Sequence, residues 1–168
     1  IYGQMLTGRF GSAAPAAAPE PGKKKGKKPA NLKDSAKKLT GATIALWQWV
    51  KKHFLPTPRK FFYVFNMRDL SRVFQGVMRS PRATVANEKV LLQLWRHECE
   101  RVFSDKLTDV ADKKRFAKQI GDIMNKAYGS GTSSNIQSKD EYPLFVDFLR
   151  EDEYDEDGIL ISEAPRIY

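Results

Sequence analysis

The residues best placed to do chemistry lie in the stretch Arg59-Lys-Phe-Phe-Tyr-Val-Phe-Asn-Met-Arg-Asp-Leu-Ser-Arg-Val-Phe-Gln-Gly-Val-Met-Arg79. An aromatic run ends at Asn66, whose side chain accepts the free amide hydrogens of a helix start, and from Met67 the apolar positions take helical spacing. Leu70, Val73, Phe74 and Val77 then share one face, with Arg68, Ser71, Arg72 and Gln75 on the other. Arg68 stands in the first turn, where the helix dipole disfavours a cation by about 0.3–1 kcal/mol unless an anion is near. Asp69 or solvent can supply that counter-charge, and so can a phosphate; spacing alone leaves both readings open. For Arg72 the expectation is the usual one for a surface arginine, a neighbouring carboxylate.

Other chemistries lack their residues. Cys99 is the single cysteine, and the two histidines, His53 and His97, are far apart in sequence, so no disulfide, cysteine-based zinc site or other metal site is expected. A phosphate-cradling loop needs Gly-x-x-x-x-Gly-Lys followed by a hydroxyl residue; Gly22-Lys-Lys-Lys-Gly26-Lys27-Lys28 has the wrong spacing and no hydroxyl. The acidic run Glu151, Asp152, Glu153, Asp155, Glu156 and Asp157 lacks the alternation and glycine of a calcium loop and reads as a solvated turn. No catalytic residue is expected in these residues alone.

The elements that position the arginine are mostly helical. Apolar residues at 32, 36, 39, 43, 46, 47, 50 and 54 predict one long helix, stopped by Pro56 and Pro58, which have no amide hydrogen to continue it. Trp47 and Trp49 near its end are read as packing residues. After Pro81 a further helix is expected from Asn87, with Val90, Leu91, Leu94, Trp95, Val102 and Phe103 inward, Cys99 also inward, and Arg96, Glu98, Glu100 and Arg101 outward. Thr108 or Asp109 is expected to cap a fourth helix carrying Phe116, Ile120, Ile123, Met124 and Ala127, closed by Gly129. Beyond it, Tyr142–Leu149 and Gly158–Ser162 look like short strands, a possible small hairpin. The fold class is thus mainly α: about four helices around one core.

The net charge of +9 is local. Eight lysines between Lys23 and Lys38, opposed by Asp34, give +7, leaving +2 elsewhere, so a nucleic-acid surface spread over the fold is not expected. Residues 11–31, rich in Ala, Pro, Gly and Lys, read as a low-complexity loop or insertion. No apolar run approaches the roughly 20 residues of a membrane span and no signal peptide is evident, so a soluble, intracellular chain without a membrane partner is expected. Because Ile1 replaces an initiator methionine, the chain is expected to be an internal piece of something longer.

The order of long helix, Leu55-Pro-Thr-Pro58, aromatic run, Phe65-Asn-Met-Arg-Asp-Leu-Ser-Arg72-Val-Phe-Gln-Gly76 and Leu94-Trp-Arg-His-Glu-Cys-Glu-Arg-Val-Phe-Ser-Asp105 resembles the dynein heavy chains. More narrowly, residues 32–149 are similar to the end of the third AAA+ module of the motor ring in the axonemal branch. The resemblance implies that residues 1–10 end the module's large subdomain, that 32–128 form its helical lid, and that 129–168 lead to the next module. It implies that Arg68, in Arg68-Asp69-Leu70, is the sensor-two arginine reaching the γ-phosphate of ATP, with Met67 and Ser71 as weaker candidates for lining the nucleotide pocket. ATP or ADP with Mg²⁺ is then bound mainly by parts outside this chain, within a motor ATPase that walks on microtubules in the axoneme of cilia and flagella. The implied partners are the rest of the heavy chain, its neighbouring modules, and dynein intermediate and light chains. The tract at 11–31 and the acidic turn depart from the family pattern but do not touch the motif. A different reading, a free-standing basic helical adaptor binding an acidic partner through the lysine tract, stays open.

Overall fold

Trp95 is fully buried, and a buried indole needs an acceptor: its Nε1 donates to the Thr43 hydroxyl at 2.8 Å, which in turn donates to the Leu39 carbonyl at 2.7 Å. Around this pair the helices assemble. The computed structural model describes residues 2–11, 32–80, 85, 87–137, 142–146, 153–154 and 160–162. In chain order these form α1 (Tyr2–Gly11), α2 (Leu32–His53), α3 (Met67–Arg79), α4 (Glu88–Phe103) running into a 3₁₀ turn (Ser104–Lys106), α5 (Val110–Tyr128), the short α6 (Thr132–Asn135), β1 (Glu153–Tyr154) and β2 (Leu160–Ser162). Mainly α architecture is as the sequence indicates.

Each long helix gives one stripe to the core: Leu39, Leu46 and Val50 from α2, Val73, Phe74 and Val77 from α3, Leu91, Leu94 and Cys99 from α4, Phe116, Ile120 and Met124 from α5. Helix α1 adds Leu6 and Phe10 to the same core, packing along α2 and against α3, so five long helices rather than four enclose it. Helix α5 ends at Gly129, whose φ of 107° is open to glycine and strained for other residues.

Three expectations need correction. Arg96 and Glu98 are buried, not outward. Residues 142–146 lie over α4, with the Tyr142 ring 3.5 Å from the Arg96 guanidinium carbon and Phe145 beside His97, while Glu98 turns towards α3, where Gly76 leaves room for its carboxylate. Val90 is only half-buried, and Leu92 goes inward instead. The hairpin exists but its first strand is displaced: residues 142–146 are irregular, and β1, inside the acidic run, pairs antiparallel with β2. The low-complexity tract at 12–31, Pro81, and the rest of the acidic run lie outside the described residues.

Candidate functional site

The start of α3 is built as its sequence suggests. Asn66, with extended backbone at φ −113° and ψ −178°, accepts from the Arg68 amide at 3.1 Å, and its own amide donates to Asp69 Oδ2 at 3.0 Å, a reciprocal capping box. Asp69 is buried, and its second oxygen accepts from Lys106 Nζ at 2.6 Å, with Arg72 3.8 Å away. Arg72 thus finds the carboxylate expected of it. Arg68 does not. Among the described residues no carboxylate lies within 4.0 Å of its guanidinium, and Asp69 is already taken up by the cap, Lys106 and Arg72. An exposed arginine at a helix N-terminus, without a counter-ion among the described residues, is a donor set suited to an anion.

Of the two neighbouring candidates, Met67 is exposed and Ser71 half-buried. The Ser71 hydroxyl is engaged, donating to the Met67 carbonyl at 3.0 Å and lying 2.5 Å from the Tyr2 hydroxyl. Tyr2 stacks on Phe74 at 4.7 Å, and Arg9 Nη2 donates to the Ser80 carbonyl at 3.0 Å, so α1 clamps α3 at both ends. Tyr2 and Arg9 carry no signal in the sequence, because their partners lie some seventy residues away.

Upstream of the cap, the chain from Phe62 to Phe65 alternates. Tyr63 and Phe65 are buried, whereas Phe61 (74 % exposed), Phe62, Val64 and Met67 are exposed, so the segment leading to Arg68 turns several apolar side chains outward. The segment is anchored through its polar residues. Lys60 pairs with Asp109 and with Asp112, and the Tyr63 hydroxyl donates to Asp112 at 3.1 Å while accepting from the Thr108 amide at 3.1 Å. Hydrogen bonds donated to Asp109 and then to Asp112 push the Lys60 ammonium well above its ordinary pKa. Asp109 occupies the cap position of α5 as anticipated, but its side chain makes no capping bond and serves Lys60 instead.

A groove of about 520 Å³ lies elsewhere, between α2 and α5, and includes none of the α3 residues. Arg68 therefore stands on the open surface at the start of α3, outside this groove. No group of three or more metal-ligating side chains occurs among them, and no described helix is long and apolar enough to cross a membrane.

The AAA+ lid domain family matches residues 39–134. The chain is 40 % identical to dynein axonemal heavy chain 8 of Homo sapiens over 133 residues, covering 77 % of this chain and 3 % of that protein. It is 44 % identical to the dynein gamma chain of the flagellar outer arm of Chlamydomonas reinhardtii over 132 residues, 69 % of this chain and 3 % of that protein. With dynein axonemal heavy chain 2 of Homo sapiens the identity is 40 % over 119 residues, 71 % of this chain and again 3 % of the other. The chain thus spans about 3 % of the length of the curated relatives it matches.

Proposed function

The chain belongs to the AAA+ lid domain family and is similar over most of its length to axonemal dynein heavy chains, and from that premise we propose that it is the helical lid of a regulatory AAA+ module, the third of the motor ring. In this reading it works within an ATP-driven microtubule motor of the axoneme of cilia and flagella, closing a nucleotide site and relaying that site's state to the neighbouring modules. Residues 1–10 end the large subdomain, and residues 129–168 lead onward to the next module. The nucleotide and Mg²⁺ are held mainly by the large subdomain, which supplies the phosphate loop and the acid that this chain lacks; intermediate and light chains join the complete motor.

The observation that supports this best is Arg68, exposed on a capped helix N-terminus with its neighbouring carboxylate committed elsewhere. A guanidinium fork so placed favours the more highly charged triphosphate over the diphosphate. The outward apolar side chains of Phe61, Phe62, Val64 and Met67 have the character of a surface covered by another subdomain. Met67 and Ser71 flank the phosphate side, Ser71 through a hydroxyl already oriented by Tyr2.

The test is Arg68→Ala in the intact heavy chain, with ATP and ADP affinity at this module read by a fluorescent nucleotide. Loss of a charge-assisted contact of about 1.5–3 kcal/mol predicts roughly ten- to hundredfold weaker ATP binding, with ADP changed much less. An unaltered ATP-to-ADP preference would remove Arg68 from the role.

A further inference from the structure

We propose that the groove between α2 and α5 is a docking surface for an acidic amphipathic helix from outside these elements. The groove holds about 520 Å³, with Gly41, Ala42 and Ala45 of α2 and Ile123 and Ala127 of α5 along it and Trp49 at one end. From Lys38 to Trp49 the α2 wall is about three turns long, roughly 16 Å at 1.5 Å per residue, the footprint of a short helix. Small side chains on the α2 wall let a third helix approach to the ordinary 8–10 Å interaxial distance, and Ile123 and Trp49 offer it apolar contact.

Charge selects the occupant. Lys38 and Lys126 stand at the edge of the groove, opposed there by Asp122. These are the charged residues that line it, one lysine on each wall against one aspartate, so the groove itself carries a net positive charge. A partner with an apolar stripe and acidic flanks satisfies both the floor and the edges, whereas a nucleic-acid backbone would leave the apolar floor unused. This surface is distinct from the Arg68 site and does not depend on the reading given to it.

The probe is a fluorescein-labelled peptide of about 18 residues with leucine at i, i+3, i+4 and i+7 and glutamate elsewhere, long enough to cover three turns. Anisotropy with the whole chain should show saturable binding, weakened about tenfold by Ala45→Phe, which fills the groove without changing charge, and by Ile123→Ala, which removes its floor. Ala45 is exposed and Ile123 is partly buried against the core, so circular dichroism melts are used to check that each variant is folded. Lys38→Glu with Lys126→Glu should weaken binding a further few-fold and flatten its salt dependence. A scrambled peptide of the same composition binding equally well would reduce the effect to charge attraction and overturn the proposal. So would affinity unmoved by both groove variants, equal competition by single-stranded RNA, or a chain dimer lost in Ala45→Phe with no peptide binding.

Discussion

Adding a single methyl at Gly76 tests how closely α3 and α4 are packed, and the sign of the result is not obvious in advance. Replacing a mid-helix glycine by alanine normally stabilises a helix by about 1 kcal/mol. Here the new Cβ would lie 2.0 Å from Glu98 Oε2 and 2.2 Å from Glu98 Cδ, so the carboxylate must leave its place. Glu98 is 1 % exposed and accepts from Arg101 Nη2 at 2.6 Å and Nε at 3.0 Å. Displacing a buried carboxylate from two charge-assisted bonds costs about 3 kcal/mol, and subtracting the helix gain leaves a net loss of about 2 kcal/mol. For a chain of this size that lowers the melting temperature by roughly 4–8 °C. Urea unfolding followed by tryptophan fluorescence reads it directly, with the double variant Gly76→Ala, Glu98→Ala as the control. In the Glu98→Ala background the methyl has room, and Gly76→Ala should become stabilising. A gain in stability in the otherwise unaltered chain would refute the close contact.

Three further outcomes follow from buried polar groups. Thr43→Val removes the acceptor of the Trp95 indole, leaving a buried donor unsatisfied at a cost of about 1–3 kcal/mol, whereas adding Trp95→Phe should cost less than the two single changes combined; strict additivity in urea midpoints would contradict the hydrogen bond. Burial first, opposed by Arg96, raises the Glu100 pKa above 4.5, so its contribution is fully present below pH 4.5 and is lost as pH rises through the raised value. The chain should therefore lose stability relative to Glu100→Gln between pH 4.5 and neutrality, and parallel stability curves for the two would refute it. Burial also pushes the Cys99 thiol well above its ordinary range, so an aromatic disulfide reagent at pH 8 should react only on unfolding; labelling of the folded chain at a free-thiol rate would place Cys99 at the surface.

What was legible in the sequence is what is decided within a few residues. The α3 start at Met67, its Asn66 cap and the division of its faces follow from local side-chain reach and a 3.6-residue period, and all three stand in the structure. The long helix ending before Pro56 and the closure of α5 at Gly129 belong to the same class. Arg96 and Glu98 did not, because their burial depends on Tyr142 and on a glycine on another helix, and a charged residue on a helix reads as solvent-facing until its cover is known.

The candidate site divides along the same line. Helix periodicity can place Arg68 on a face, but whether its charge is already neutralised depends on where Asp69 is spent, and that depends on Lys106, thirty-seven residues away. Had Lys106 pointed elsewhere, the buried Asp69 Oδ1 would have kept only the 3.8 Å approach of Arg72, leaving negative charge beside Arg68 at the start of α3. Lys106 also sits 5.4 Å over the Phe65 ring, so the buried aromatic just before the cap helps hold the cation that occupies the carboxylate. Lys106→Met accordingly affects more than stability: with its ammonium gone, Asp69 Oδ1 keeps only Arg72 at 3.8 Å, and the carboxylate raises the negative potential at the start of α3 beside Arg68. On the function proposed above, that change in the intact heavy chain should weaken ATP preference in the same direction as Arg68→Ala but less. An effect on melting alone, with nucleotide preference untouched, would show that the two basic residues act independently.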